Sequence, residues 1–342
     1  MHSTDFIKTF DTQNQYQVLQ DSYKQLIDAW DSKINLEQLV KYKFSSIVYC
    51  GLGGSAISGD LFVDYIGDEL KLPFQVVRGY SLPSYVDENC LVIISSYSGN
   101  TEETVSCFNQ ALKKKAKIAA ITSGGKIGQI AEQNKIPIVK LRGGFQPRFA
   151  LGAGFFSLLK IMYVLSIVDE SKNIQTIIDL WKRKGLEYSS KDSTAMYFAE
   201  QIIGFIPVIY SSEFLSSTGY RMKSQLNENS KMHAFHHNLP EMNHNEIIGW
   251  ESFKEKQFNA KVIYLLDKEY HPQNQKRFEI LKEILNQQKI EVLSLMSNEE
   301  NKKVRIMDLI FLIDWISFYA SVLRGYDPSE IDFIHRMKQR LT

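Results

Sequence analysis

The stretch Ser46-Ile47-Val48-Tyr49-Cys50-Gly51-Leu52-Gly53-Gly54-Ser55-Ala56-Ile57-Ser58-Gly59-Asp60 decides the fold. Five mostly apolar, partly β-branched residues run straight into glycines, and a helix-forming segment follows. A strand, a tight turn and a helix in that order open a parallel α/β unit. The glycines let the backbone turn sharply and come close to a ligand, while Ser55 and the first helical amides can offer hydrogen bonds to an anion or a hydroxyl. A dinucleotide fingerprint would read Gly-x-Gly-x-x-Gly, with an acidic residue ending a second strand about 20 residues later. Here the glycines fall at Gly51, Gly53 and Gly54 and no such acidic residue follows, which disfavours dinucleotide binding. Taken alone, a tight and closely packed turn accounts for the same glycines.

Further short apolar runs follow at Gln75-Val76-Val77, Leu91-Val92-Ile93-Ile94, Ile118-Ala119-Ala120-Ile121 and Ile136-Pro137-Ile138-Val139, several of them separated by enough chain for a helix. Continuous rather than alternating apolarity suits strands buried on both faces, so the fold class expected is α/β with a doubly wound parallel sheet. Pro137 sends the last run to a sheet edge. A helix is expected from about Ala150 to Ser166, and a boundary near Asp169-Glu170-Ser171-Lys172. The pattern then restarts, with strands at Pro207-Val208-Ile209-Tyr210, Lys261 to Leu266 and Ile290-Glu291-Val292-Leu293, interleaved with helices at 214–227, 274–287 and 304–323. The expected organisation is a helical lead-in over 1–43, a first domain over 44–170 and a second over 171–342. In the lead-in Tyr16, Leu19, Tyr23, Leu26, Ile27 and Trp30 recur at helical spacing. The run Asp308-Leu309-Ile310-Phe311-Leu312-Ile313-Asp314-Trp315 is apolar on more than one face and belongs to core and subunit packing.

Bulk properties narrow the function classes. The chain has 342 residues, 44% of them hydrophobic, enough for two domains with substantial cores. Forty Lys and Arg against 39 Asp and Glu leave a formal net charge of +1, so no global field gathers nucleic acid or an anionic membrane, and an anionic ligand has to be held locally. Cys50, Cys90 and Cys107 lie in or beside apolar runs and read as reduced core residues. The first residues lack the basic start and apolar core of a signal peptide, and no apolar stretch reaches the roughly 20 residues that span a bilayer. The cytoplasm is the expected location.

A second motif, Ser95-Ser96-Tyr97-Ser98-Gly99-Asn100-Thr101-Glu102-Glu103-Thr104, ends the third apolar run and precedes a helix. Ser96, Ser98 and Thr101 can converge with the free helical amides on one phosphate, which gains from the helix dipole. One of these hydroxyls could simply cap the helix, with Glu102 and Glu103 favouring its first turn, but several clustered hydroxyls exceed that need. Both motifs would lie beyond the carboxyl ends of the strands, where ligands collect in open α/β sheets.

Gly51-Leu52-Gly53-Gly54-Ser55 and Ser96-Tyr97-Ser98-Gly99-Asn100-Thr101-Glu102-Glu103-Thr104 resemble the two signatures of sugar isomerase (SIS) domains. Phe145-Gln146-Pro147-Arg148-Phe149-Ala150-Leu151-Gly152, Asn227-Glu228-Asn229-Ser230-Lys231, Leu239-Pro240-Glu241-Met242-Asn243-His244-Asn245-Glu246 and the ending from Gly325-Tyr326-Asp327-Pro328 to Met337-Lys338 narrow the match. From about residue 40 onward the chain is similar to the bifunctional phosphoglucose/phosphomannose isomerase family. The resemblance implies two SIS-type αβα sandwich domains, a homodimer, a hexose 6-phosphate bound between domains and interconversion of aldose and ketose through a cis-enediol(ate). Glucose 6-phosphate to fructose 6-phosphate is the implied reaction, with mannose 6-phosphate as a second substrate, since the common enediol erases the difference at C2. No metal and no cofactor are implied.

By similarity, Glu228 is the base that takes the C2 proton and returns it to C1, a role worth roughly 10²- to 10⁴-fold. His244 matches the family's ring-opening histidine, which arrives from the neighbouring subunit and whose imidazole can carry a proton near neutral pH. Arg148 matches the arginine beside the sugar, where a fixed guanidinium stabilises a developing enediolate oxygen. Lys338 aligns with a lysine on a terminal helix near the ring oxygen, so the tail has to be ordered; the preceding residue is often Leu in the family and is Met337 here. Gly54, Ser55, Ser96, Ser98 and Thr101 are the implied substrate-binding residues, and Glu241 supports its loop. A competing metal site at His233, His236, His237 and His244 is disfavoured, because no Cys joins them and the spacing matches no zinc motif, so His233, His236 and His237 read as polar or packing residues. A non-catalytic sugar-phosphate sensor is the rival from another class, although residues 1–43 carry no basic recognition helix for DNA. An amidotransferring synthase would need a glutaminase domain that this sequence does not show.

Overall fold

A computed structural model describes residues 3–255 and 259–341. The chain forms two compact units, one of residues 21–179 and one of residues from 180 onward together with the N-terminal residues up to 20. The division falls within one helix, and the segment expected to be a single lead-in over 1–43 contributes to both units. That segment holds four short helices, α1 (Ser3–Phe10), α2 (Gln15–Gln20), α3 (Tyr23–Asp31) and α4 (Glu37–Val40).

The first unit is built on five parallel strands, β1 (Ser46–Cys50), β2 (Phe74–Val77), β3 (Cys90–Ser95), β4 (Lys117–Thr122) and β5 (Ile138–Lys140), in the order β2-β1-β3-β4-β5. Every residue of β1 and β3 is buried, the signature of strands covered on both faces. Its larger helices are α5 (Gly53–Ile66), α6 (Glu102–Lys113), α7 (Gly125–Gln133) and α8 (Leu151–Val164). Val48, Val92, Ile94 and Ile118 meet Phe108, Ala111 and Ile127 of α6 and α7 in one apolar cluster. On the other face Tyr49 lies so close to Gly59 of α5 that a Cβ there would sit 2.6 Å from its ring. The five strands fall where the apolar runs put them, and β5 takes an edge behind Pro137.

The division between units lies in α9 (Ser171–Tyr188). The second unit adds α10 (Thr194–Ile202), β6 (Ile206–Ser212), α11 (Ser216–Glu228), β7 (Phe235–Leu239), α12 (Glu246–Gly249), β8 (Ala260–Leu266), α13 (Pro272–Gln287), β9 (Val292–Met296), α14 (Lys302–Leu323) and α15 (Asp332–Leu341). Its four strands are parallel, in the order β7-β6-β8-β9. The strand β7 is absent from the apolar pattern because Phe235-His236-His237-Asn238-Leu239 is mostly polar; it is a part-exposed edge strand whose side chains are satisfied by hydrogen bonds.

Helix α14 is the core helix that its apolarity on more than one face leads one to expect. By length and composition it could cross a membrane, yet 94% of its most apolar window is buried in the fold, so it is a core helix. Two of its buried charged side chains are paired: Asp308 accepts from Tyr188 Oη at 2.7 Å and Ser297 Oγ at 2.6 Å, and Arg305 grips Asp267 through Nε at 2.7 Å and Nη2 at 2.8 Å. The Trp315 ring meets Tyr16 edge-on with centroids 5.3 Å apart.

Candidate active site

In the first unit the two motifs close on one another at the carboxyl ends of β1 and β3. The Tyr97 amide donates to Ser55 Oγ at 3.1 Å, tying the hydroxyl loop to the glycine turn. Within the loop Ser96 Oγ and Thr101 Oγ1 lie 3.0 Å apart, the Gly99 amide donates to Ser96 Oγ at 3.1 Å, and the Asn100 amide donates to Ser98 Oγ at 3.3 Å. Gly99 adopts φ of 70°, and a Cβ there would lie 1.8 Å from the Gly124 carbonyl oxygen, so the tight loop needs glycine on both counts. Gly54 is also tightly packed, though less so. A Cβ on it would stand 2.9 Å from the Pro147 carbonyl oxygen and 3.3 Å from the Arg148 Cα. The unit thus brings Gly54, Ser55, Ser96, Ser98, Thr101 and the buried Arg148 into one neighbourhood, beside the N-terminus of α6. Short hydroxyls and helical amides are groups that can hydrogen-bond an oxyanion.

Tyr97 was not singled out by the sequence, although it stands between two residues that were. Its hydroxyl donates to the Arg142 carbonyl at 2.9 Å and accepts from the Phe145 amide at 2.9 Å, so it fixes the segment that leads to Arg148. From the lead-in, Gln25 Nε2 donates to the Phe149 carbonyl at 2.9 Å.

The second unit places Glu228, His244 and Lys338. Glu228 is the last residue of α11 and is half-buried. Because β6 and β7 are parallel and α11 joins them, this helix runs back from the carboxyl edge of the sheet to its amino edge. His244 follows the other end of β7, in a short 3-10 turn at Glu241–His244, and is exposed. The 13-residue helix spans roughly 18 Å, so within one chain Glu228 and His244 belong to opposite edges of the sheet. The expected support from Glu241 takes the form of a hydrogen bond from Asn245 Nδ2 at 3.1 Å.

Just beyond Glu228 the chain is latched to the C-terminal segment. Lys231, with φ of 51°, turns the backbone, and its Nζ donates to the Asn229 carbonyl at 3.0 Å and also to the Asp327 carbonyl. Arg324 Nη1 donates to the Ser230 carbonyl. The segment that leads to Lys338 therefore starts beside the Glu228 turn. Lys338 lies on helix α15, with its side chain exposed.

The histidines of β7 do not form a group that could share an ion. His236 Nε2 lies 2.8 Å from Ser211 Oγ, whereas His237 Nδ1 lies 2.9 Å from Glu246 Oε2, as alternation along a strand requires. Among the described residues no group of three or more His, Cys, Asp or Glu is arranged to hold a metal ion. Burial, with the neighbouring His237 charge, pulls the His236 pKa down to about 4. Ser211 donates to Asn238 Oδ1 at 2.7 Å, so His236 acts as donor to Ser211. The loop after β7 is moored through Glu246, which accepts from Tyr210 Oη at 2.6 Å while Trp250 Nε1 donates to the same hydroxyl at 2.9 Å. Tyr210, Glu246 and Trp250 carried no sequence signal apart from Glu246, which ends the matched string.

Two parallel-sheet units, one with a hydroxyl-lined glycine turn, define the SIS class of proteins. Residues 41–139 match the SIS domain family, and residues 191–341 match the family described as the bacterial phospho-glucose isomerase C-terminal SIS domain. The bifunctional phosphoglucose/phosphomannose isomerase of Aquifex aeolicus (strain VF5) is 35% identical over 334 residues, covering 95% of this chain and 98% of that protein. The protein of the same name from Caldicellulosiruptor bescii is 35% identical over 93% of this chain and 96% of its own length. The C-terminal domain of glucosamine-fructose-6-phosphate aminotransferase from Francisella tularensis superposes with a TM-score of 0.69 at 14% identity, covering 91% of this chain and 95% of that one, a likeness of fold. The chain belongs to the bifunctional phosphoglucose/phosphomannose isomerase family.

Proposed function

We propose that this protein interconverts glucose 6-phosphate, and mannose 6-phosphate, with fructose 6-phosphate through a cis-enediol(ate), as a cytoplasmic homodimer. The observation that carries the reading is the Tyr97 to Ser55 bond at 3.1 Å, which joins glycine turn and hydroxyl loop, together with the packing of Gly54 on Pro147 and Arg148. Ser55, Ser96, Ser98, Thr101 and the amides around Gly54 would hold the phosphate. The division of labour follows the expected domains, with 44–170 binding the anion, 171–342 supplying proton transfer and 1–43 serving as accessory helices.

The chemistry assigns one group to each step. His244 moves a proton between the ring oxygen and the C1 hydroxyl, and the ring opens, with Lys338 beside that oxygen. The C2 proton then passes to the Glu228 carboxylate; the C2–H pair forms the C1=C2 bond, and the carbonyl pair moves onto O1. Arg148 stabilises that oxyanion. Return of the proton to C1, with the O2 proton passing to O1, gives the ketose. The opposite placement of Glu228 and His244 supports a site completed by His244 of a second copy. Ile248, 67% exposed two residues past Glu246, gives that edge an apolar side chain for a partner to cover.

A coupled assay with fructose 6-phosphate in the presence of a chelator tests the reading. Formation of both glucose 6-phosphate and mannose 6-phosphate is expected. Binding of the sugar phosphate without turnover would replace the isomerase by a sensor.

A further inference from the structure

The helix that ends in Glu228 packs on α14, and apolar contact alone is non-directional, so it leaves the axial position of α11 weakly fixed. Along that contact runs a file of buried polar pairs. Asp314 accepts from Arg221 Nε at 2.9 Å, from Arg221 Nη2 at 2.8 Å and from Gln225 Nε2 at 2.9 Å. One turn on, Asn229 Nδ2 donates to Ser317 Oγ at 2.9 Å, and Ser230 Oγ donates to the Ser317 carbonyl at 2.7 Å. Arg221, Gln225 and Asn229 are four residues apart and share one helix face. Arg221, Gln225, Asn229, Asp314 and Ser317 are all at most 4% exposed.

The pairing admits one register. Sliding α11 by a turn, about 5.4 Å, or rotating it by one residue, about 100°, would strand a buried carboxylate and a buried guanidinium, a loss far larger than any apolar repacking. A lone buried polar pair fixes register in helix packing for the same reason. The last link, Asn229, is the residue after Glu228.

We propose that the file Arg221, Gln225 and Asn229 on Asp314 and Ser317 is the positioning device for Glu228, and that these are positioning residues for the isomerisation. The inference rests on the reading of Glu228 as the base. Productive geometry has to be held within about 0.5 Å, and a displacement of about 1 Å can cost on the order of 100-fold in rate. A helix end with its axial position left loose would not meet that tolerance, whereas one pinned by a bidentate ion pair about two turns back and by a side-chain amide at the next residue does.

The test replaces the ion pair by apolar side chains in the double variant Arg221→Met/Asp314→Leu, since such exchanges tend to keep or raise stability. The expected result is a folded enzyme with kcat lower by about 10- to 100-fold, KM within about 2-fold, and a larger deuterium isotope effect on kcat with substrate labelled at C2. Those three together report a misplaced base, which a merely structural role would not produce. Wild-type kcat and isotope effect in the folded variant would overturn the inference. Should the double variant not fold, Ser317→Ala decides, with a several-fold fall in kcat and a raised isotope effect expected and unchanged values overturning it. Glu228→Gln separates the two readings. If it is inactive while the file variants behave as wild type, only the positioning role falls; if it keeps full turnover, the base reading falls and takes this inference with it.

Discussion

In the first unit the hydroxyls of Ser96, Ser98 and Thr101 are fixed by partners two to five residues away, whereas in the second the helix bearing Glu228 is fixed by residues 88 to 93 positions distant. On the proposed roles, the difference follows from what each part has to do. An oxyanion is bound by many short donors whose exact arrangement a loop and a helix N-terminus already provide. A base that takes a proton from carbon needs one atom at one place, and only a rigid body beneath the helix supplies that.

The comparison can be broken most severely at the proton-transfer side. Glu228→Gln and His244→Ala are each expected to lower kcat by about 10³-fold in kinetic assays. When the two variants are mixed and allowed to exchange subunits, about a quarter of wild-type activity is expected to return, because half the dimers are mixed and one of their two sites is intact. No recovery would mean that both residues act within one chain.

The next largest effect is on stability. The lowered His236 pKa of about 4 lies below its ordinary value of 6.5, so unfolding takes up a proton between those values. The stabilisation is whole above pH 6.5 and is lost as pH falls toward 4. Compared with His236→Asn, the native protein is expected to lose about 3 kcal/mol more across that window in denaturant titrations. Parallel pH profiles of the two proteins would contradict the buried neutral imidazole.

On the phosphate side Ser96→Ala should raise KM by about 10-fold or more, the worth of a hydrogen bond to a charged group, with a smaller change in kcat. A fall in kcat alone would show that the loop serves the transition state. The mildest effect belongs to Met337→Leu on the exposed face of α15, where the side chain is 58% exposed and unfolding should shift by less than about 0.5 kcal/mol.

The same contrast explains what could be read in advance. Strands β1 to β5 and the two loops of the first unit were legible because each is a contiguous run whose residue types dictate a local conformation. Edge strand β7 was not, because its His and Asn side chains hide an extended backbone whose apolar content is small. Helix α14 was recognised as core from its apolarity on several faces, yet nothing in its sequence says that Asp314 meets Arg221. The moorings at Tyr97, Glu246 and Tyr210 were missed for the same reason: a hydrogen bond between distant residues leaves no spacing to read. Opposite edges for Glu228 and His244 emerged once the strand order around α11 was known.

Glu228 is the proposed base of the aldose-ketose isomerisation. Converting glucose 6-phosphate deuterated at C2 in ordinary water tests it most directly. The expected result is fructose 6-phosphate carrying only part of the label on C1, the rest having exchanged with solvent from the Glu228 carboxyl, and loss of both transfer and exchange in Glu228→Gln. Complete transfer of label without exchange, or unaltered exchange in that variant, would contradict it.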